Sequence, residues 1–457
     1  MGRITAFLQA VSRAKVPVMF SRCRASGPPP KQGRRGHEPA DLEGNGRRPD
    51  YSAKSLKFQQ NSVRIGNTST PRVVSHRLAI LLAPALLTAC GFNGTDPDDE
   101  ERKAAPQAAE APADPDFAAL EQTELADSEP RPQMQLQVVL DQLGFGPGVI
   151  DGKEGISTAN ALKGFQEANS LDVTGELDEA TGQALERWRE VPATRVVRIP
   201  ASWGEIDYHD VPEEPEDQAE LEHLGYESLD EKLAERFPTT VEVLEQLNPG
   251  GKPAGSAPEP GATSTQTARP SATATASRTV FRPGQLVRVP NVGFDLPEAS
   301  GDDRDWSRTL ASLGVGGEQP KVAEVVVDKS EGWLKGYDEG GKLVAMFTVT
   351  SGSGHDPLPL GEWKVLGVSK NPPFHYNPDL FWDAEADDEK VKLPPGPNGP
   401  VGVVWIDLSK EHYGIHGTPE PQTIGRTQSH GCVRLTNWDA ARLAGMVSGS
   451  TKVVFQA

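Results

Sequence analysis

A cysteine and two histidines lie close together near the C-terminal end of the chain, in a pattern that can support acyl transfer. Cys432 sits in the stretch SHGCVRL, two residues after His430, and His416 lies sixteen residues before it. An imidazole within hydrogen-bond reach can take the thiol proton, and the resulting thiolate–imidazolium pair stays reactive near neutral pH. Gly431 frees the backbone beside the thiol, so main-chain N–H groups can face a developing oxyanion. We predict a cysteine acyl-transfer site with Cys432 as its nucleophile.

Three neighbours of these residues are candidate substrate contacts. Arg434 is placed to hold a carboxylate, Gly417 allows a close backbone approach beside the first histidine, and Ser429 opens the cysteine stretch. A zinc site is the main alternative, with the ligands His412, His416, His430 and Cys432. The glycines and apolar alternation of HYGIHG argue against a shared helical face for the first two of these ligands. A redox cysteine would lack a resolving partner, because no second cysteine is near.

Composition narrows the function classes. The net charge is −19, and a protein this acidic is unsuited to bind nucleic acid, whose phosphates would repel it. The three cysteines are far apart and form no CxxC pair that could hold a metal or exchange disulfides. A chain of 457 residues is long enough for several domains.

The apolar run LAILLAPALLTA, residues 78–89, is too short to span a bilayer and ends at Cys90. The run and its LTAC ending resemble a bacterial lipoprotein signal, which implies that residues 73–90 are a signal peptide and that Cys90 carries lipid. The alternative is a buried core helix that ends at a chance cysteine. Residues 1–72 are rich in Arg and Gly and are far longer than a signal needs. We therefore expect translation to start near Val73 or Val74, with residues 1–72 a mis-called extension.

Residues 91–130 are acidic and nearly without large apolar groups, so we expect a disordered tether. Helical spacing of apolar residues then predicts three helices in residues 131–190. The stretches LGFGPGVIDGKEG, ALKGFQEAN and VTGELDEAT resemble the small all-α peptidoglycan-binding domain. The alternative is a three-helix scaffold without a ligand. We call residues 131–190 the helical domain.

Residues 223–290 combine two helical stretches, a low-complexity insert at 251–278 and a short strand in FRPGQLVRVP. These pieces resemble a LysM module, an α+β glycan binder with the insert placed before its last strand. A spacer that contains a helical hairpin is the alternative. We call this region the middle module.

In residues 321–457, which we call the C-terminal domain, polar and apolar residues alternate with the period of β-strands. The DEGG turn, Asp338 to Gly341, predicts a hairpin, and NWDAARLAGMV predicts a helix. We expect a mostly-β domain, a sandwich, at the end of a multidomain chain. The stretches LPLGEWKV, HYNP, HGT and SHGCVRL resemble the L,D-transpeptidase (YkuD-type) catalytic domain. Carried over residue by residue, the resemblance implies Cys432 as nucleophile and His416 as base, with His430, Gly431 and Arg434 as accessory groups.

The resemblance also implies the chemistry. Cys432 would form a thioester on the third residue of a tetrapeptide stem and expel D-Ala, and an amine from a neighbouring stem or from a protein would resolve it. No metal or cofactor is needed. The expected partners are stem peptides and glycan strands of peptidoglycan, with a membrane reached through the lipid anchor, in the bacterial periplasm. Gly91 after the lipidated cysteine favours the outer membrane. The alternatives are an L,D-carboxypeptidase that uses water as acceptor and a non-catalytic wall-binding lipoprotein.

Overall fold

The computed structural model describes residues 115–118, 120–256, 279–297, 303–380 and 389–457. All of them belong to one compact unit. The expected extension at 1–72, the signal peptide with Cys90, most of the tether and most of the insert lie outside the described residues. None of the helices in the described ranges has the length and apolar character needed to cross a membrane.

The α-helices and β-strands are named here in chain order. The helices of the described residues are α1 Pro132–Gln142, α2 Ile156–Ala168, α3 Glu179–Leu185, α4 Pro215–Gln218, α5 Leu229–Arg236, α6 Val241–Leu247, α7 Arg304–Leu313 and α8 Asn437–Met446. The strands are β1 Glu121–Thr123, β2 Phe145–Gly146, β3 Thr194–Arg198, β4 Leu286–Pro290, β5 Glu324–Asp328, β6 Trp333–Tyr337, β7 Leu343–Thr348, β8 Thr350–Ser351, β9 Gly361–Lys370, β10 Phe374–Tyr376, β11 Val391–Leu393, β12 Val404–Leu408, β13 Gly414–His416, β14 Val433–Arg434 and β15 Lys452–Gln456.

The helical domain contains α1, α2 and α3 around a small apolar core. Leu140 and Phe165 are buried there, and the ring of Phe165 meets that of Phe145 edge to face with centroids 6.0 Å apart. The domain is not purely helical, because β2 pairs in parallel with β7 of the C-terminal domain. The all-α expectation is therefore wrong for this two-residue strand. Its pairing partner lies about two hundred residues away, which helical periodicity could not indicate.

The middle module is framed by two paired strands. β3 pairs antiparallel with β4, and the short α4 followed by α5 and α6 lies between them in sequence. Its first strand therefore lies before residue 223, where we expected the module to begin. β1 pairs with the other edge of β3, so the last part of the expected disordered tether forms a strand of this sheet. Asp127 adds an ion pair to Arg131 at 2.8 Å, and the tether prediction is wrong for these residues.

The C-terminal domain is mostly β, as predicted, and all its strands except the separate β10–β11 pair join one continuous sheet. The order is β2-β7-β6-β5-β15-β9-β12-β13-β14-β8. The long β9 joins the two halves, because it pairs with β15 along its first residues and with β12 along the rest. Both halves and α8 contribute to one apolar cluster. The two halves of the predicted sandwich therefore enclose one apolar core but share the strand β9.

The helical domain is docked firmly on the C-terminal domain. Arg442 of α8 donates two hydrogen bonds to the buried Asp141 carboxylate of α1, at 2.8 and 2.7 Å. Lys335 and Tyr337 of β6 both donate to Glu167 of α2, at 2.6 and 2.9 Å. Side chains of β6 and β7 also complete the apolar cluster of the helical domain; these are Trp333, Leu343 and Met346. Bidentate pairing of this kind fixes orientation as well as contact.

Candidate active site

Two short parallel strands place the candidate catalytic residues. β13 pairs with β14 so that Ile415 is opposite Val433 and His416 is opposite Arg434. Successive side chains of a strand point to opposite faces, and paired residues share a face. Ile415 and Val433 are buried in the main core. His416, Arg434 and Cys432, which directly precedes β14, therefore lie together on the opposite face of the sheet.

His416 is held in one orientation. It is only 4% exposed, and its ring stacks on that of Trp405 with centroids 5.5 Å apart and an angle of 21°. Its Nδ1 lies 2.7 Å from the carbonyl oxygen of Gly417. A carbonyl oxygen only accepts hydrogen bonds, so Nδ1 must carry the proton. In the neutral ring Nε2 then has the free lone pair, which is the state that a general base needs.

Burial sets the protonation of both candidate groups. Desolvation, reinforced by the nearby charge of Arg434, lowers the pKa of His416 to about 4. Burial also raises the pKa of the Cys432 thiol, although the Gly414 backbone and Arg434 act in the opposite direction. At neutral pH the resting site therefore holds a thiol and a neutral imidazole. This differs from the thiolate–imidazolium pair that the sequence suggested, because sequence spacing does not reveal that the imidazole is buried.

The neutral pair predicts a distinctive pH dependence of thiol alkylation. At pH 7 we expect iodoacetamide to react with Cys432 of the resting protein more slowly than it reacts with free glutathione. The reason is that the raised pKa of the Cys432 thiol leaves less thiolate. The rate should keep rising as the pH increases beyond roughly 8.5, the ordinary thiol pKa. Peptide mass spectrometry at each pH distinguishes Cys432 from the other cysteines. A fast rate that is constant from pH 5 to 8 would instead show a resting thiolate–imidazolium pair.

Ser429 has a structural role in this structure. Its buried hydroxyl accepts hydrogen bonds from the N–H groups of Gly352 and Gly431, at 2.7 and 3.2 Å, and donates to the carbonyl of Cys432 at 2.6 Å. These bonds tie the turn before Cys432 to the chain that follows β8. Ser429 therefore shapes the turn instead of facing a substrate as predicted. The Gly431 N–H, which we expected to face an oxyanion, donates its hydrogen bond to the Ser429 hydroxyl.

The turn around the thiol requires glycine at position 431. Gly431 has φ +106°, and a Cβ there would lie 2.8 Å from the Tyr413 ring. Tyr413 thus covers the turn. Its pKa is raised, mainly by burial and to a smaller extent by the nearby Cys432. The Cys432 thiol is half-buried, and its sulfur lies 3.9 Å from the carbonyl oxygen of His412. The backbone of His412 has a positive φ of +65°. Residues in this sparsely populated region cluster at functional sites.

Gly417 also serves a different purpose from the predicted substrate contact. A Cβ at this position, or at Gly402, would collide with the side-chain oxygen of Asn437. Asn437 is fully buried at the start of α8, and its Oδ1 accepts from the Val403 N–H at 3.3 Å. The close approach that glycine permits is thus to Asn437.

Sequence reasoning did not identify Tyr413, Trp405 or Asn437 as parts of the site. The first two lie within strand-like patterns, and Asn437 was only the first residue of a predicted helix. Their contribution depends on strand register, which no local signal gives.

The remaining candidates lie beside this pair. Arg434 is half-buried next to His416, and its Nε is a buried donor without a hydrogen-bond partner among the described residues. His430 is half-buried in the turn that precedes the cysteine. The His412 ring is exposed and lies 3.6 Å from Glu411. Within the described ranges, no three His, Cys, Asp or Glu side chains are grouped closely enough to hold a metal ion, so the alternative zinc site is not formed.

Comparisons with known proteins agree with this architecture. Residues 323–455 match the family model of the L,D-transpeptidase catalytic domain, YkuD. Residues 134–185 match the model of a peptidoglycan binding domain. Among curated proteins, YkuD of Bacillus licheniformis, named as an L,D-transpeptidase, is 49% identical over 63 residues, which cover 14% of this chain and 38% of that protein.

YbiS of Escherichia coli, also named as an L,D-transpeptidase, is 30% identical over 135 residues, which cover 29% of this chain and 44% of that protein. The chain thus spans about two fifths of the length of these two relatives. L,D-transpeptidase 3 from Mycobacterium tuberculosis is 16% identical to this chain, with a TM-score of 0.25 over 38% of this chain and 76% of that one. At this TM-score and identity, no property of that protein is transferred to this chain.

Proposed function

We propose that this chain, which contains an L,D-transpeptidase catalytic domain after a peptidoglycan-binding domain, is a transpeptidase that works through a thioester on Cys432. One observation carries the proposal. The register of β13 and β14 puts Cys432 and His416 on one face, and the Gly417 carbonyl holds the imidazole in the tautomer that can accept a proton at Nε2.

The reaction follows from this arrangement. Nε2 of His416 takes the thiol proton while the sulfur attacks the carbonyl carbon of the third residue of a tetrapeptide stem. The amide bond to the terminal D-Ala then breaks, and the imidazolium returns the proton to the leaving amine. An acceptor amine attacks the thioester, loses a proton to His416, and frees the thiol. The proton is transferred in concert with attack, because the resting pair is neutral.

Arg434 suits the stem peptide. Its guanidinium lies on the same face as Cys432 and has a donor to offer, and the stem carries free carboxylates. We assign it the role of a carboxylate anchor. The proposal gives His430 an accessory role in the turn.

The rest of the chain supports action on a polymer. The helical domain binds peptidoglycan in this proposal, and the pairing of β3 with β4 on either side of α5 and α6 in sequence supports a LysM-like second glycan binder. The sequence around Cys90 supports a lipid anchor in the bacterial periplasm, with the outer membrane favoured. Tethering raises the effective concentration of a wall that cannot diffuse, so weak module affinity suffices.

The test is incubation of the purified protein with disaccharide-tetrapeptides, followed by mass spectrometry. We expect loss of D-Ala together with stem dimers joined through the third residue of the donor. Tripeptides without dimers would show that water is the acceptor and that the protein is a carboxypeptidase. Unchanged tetrapeptides, with retention of the protein on insoluble sacculi, would show a wall-binding protein without this activity. Either of these results rejects the transpeptidase.

A further inference from the structure

A side chain of the middle module reaches into the interior of the catalytic domain. Glu235 of α5 is buried, and its Oε1 accepts a hydrogen bond from Nδ2 of Asn437 at 2.7 Å. More than two hundred residues separate these partners in sequence. The reaction proposed above uses neither of them.

Asn437 is held by hydrogen bonds on both sides of its amide. Nδ2 donates to Glu235 and to the carbonyl oxygen of Pro397 at 3.0 Å, while Oδ1 accepts from the Val403 N–H at 3.3 Å. Burial raises the pKa of Glu235 to about 7; its ionised form only accepts hydrogen bonds, and in that form it requires the NH₂ group of the amide to face it. Glu235, the Pro397 carbonyl and the Val403 N–H therefore agree on which way the Asn437 amide points, and Glu235 makes the shortest of the three bonds.

The oxygen end of Asn437 packs against Gly417. It occupies the space that a Cβ of Gly417 or of Gly402 would need. The position of Asn437 thus determines how far the Gly417 backbone can approach α8. The Gly417 carbonyl in turn receives the Nδ1 proton of His416 at 2.7 Å.

We propose that Glu235 is a positioning residue for His416, acting through Asn437 and the Gly417 backbone. The middle module then does more than bind the wall, because it supplies the carboxylate that holds Asn437 against Gly417, whose carbonyl keeps the catalytic imidazole in its Nδ1-protonated tautomer. This inference rests on the proposed function for its kinetic consequence, but its structural consequence is independent of turnover.

The test uses the full chain and three variants. Glu235→Leu removes the acceptor and keeps the bulk, and Glu235→Gln keeps an oxygen that can accept from Asn437. Asp141→Asn is the matched control, because it weakens a buried contact between domains that does not lead to His416. The readouts are kcat and KM on a soluble stem peptide and ring ¹⁵N NMR of the histidines. His416 is identified among the nine histidines by the signal that His416→Ala removes.

We expect Glu235→Leu to lower kcat by roughly 10- to 100-fold with little change in KM, since a misplaced base loses rate and not binding. The His416 signal should change from one tautomer to a mixture. Glu235→Gln should resemble wild type in both readouts, and Asp141→Asn should keep kcat and the tautomer.

Three results would overturn the proposal: a folded Glu235→Leu with wild-type kcat and tautomer, a Glu235→Gln as impaired as the leucine variant, or the same changes in Asp141→Asn. If Glu235→Leu does not fold, Glu235→Ala replaces it with the same criteria. If wild type turns over no stems, the proposed function fails and the NMR comparison alone decides the role of Glu235.

Discussion

Cys432→Ser should reduce stem transfer to background, a loss on the order of 10⁴- to 10⁶-fold in kcat, as for removal of a nucleophile in other acyl-transfer enzymes. The serine hydroxyl is the right size for the site, but its pKa lies far above that of a thiol. The imidazole of His416, whose own pKa is lowered to about 4, is a weak base and cannot activate a hydroxyl. The measurement is dimer formation by mass spectrometry under conditions where wild type is linear in time.

The serine variant should fold normally, because its oxygen is smaller than sulfur and the side chain is only half-buried. Unchanged near-UV circular dichroism and thermal midpoint are the control. Stem dimers from Cys432→Ser, or their loss on adding EDTA to wild type, would mean that the cysteine thioester is wrong and that a metal must be reconsidered.

His416→Ala should lower the rate of acyl-enzyme formation by roughly 10²- to 10⁴-fold, the usual contribution of a positioned base. The loss should appear in kcat, because the buried imidazole faces the thiol side of the sheet and KM reports contacts elsewhere. The measurement is the single-turnover rate of thioester formation, followed by intact-protein mass spectrometry.

The matched control is His375→Ala, which removes an exposed histidine of β10 from the same domain. It should leave the rate unchanged. If His430→Ala loses rate to a comparable degree while His416→Ala stays near wild type, the base is His430 and not His416. That result would also remove the reason for the proposed role of Glu235.

The motif and the main secondary structure could be predicted from the sequence, because both depend on local signals. The hairpin of β6 and β7 and the helix α8 both lie where apolar alternation and turn residues indicated. The family matches confirm the identity of the two outer domains. The role of Cys432 as nucleophile stays a prediction until its variant is tested.

The surroundings of the site could not be predicted, because they depend on contacts between distant residues. β13 and β14 are too short to carry a periodic signal, so their parallel register was invisible in the sequence. The burial of His416, which reverses the expected protonation of the pair, follows from that register. The contact of Glu235 with Asn437 depends on how two domains pack, for which hydrophobic patterns give no rule.

The two-residue strand β2 has a consequence for solubility. It covers one edge of β7, a strand whose side chains are almost all buried. An uncovered edge of this kind offers free N–H and C=O groups and apolar side chains to the same strand of another molecule, which is how sheets aggregate. The helical domain thus shields the C-terminal domain from association with its own copies. Proteolytic removal of the helical domain would leave a C-terminal fragment prone to aggregate. The aggregating edge would be distant from Cys432 and His416, which lie at the other end of the sheet.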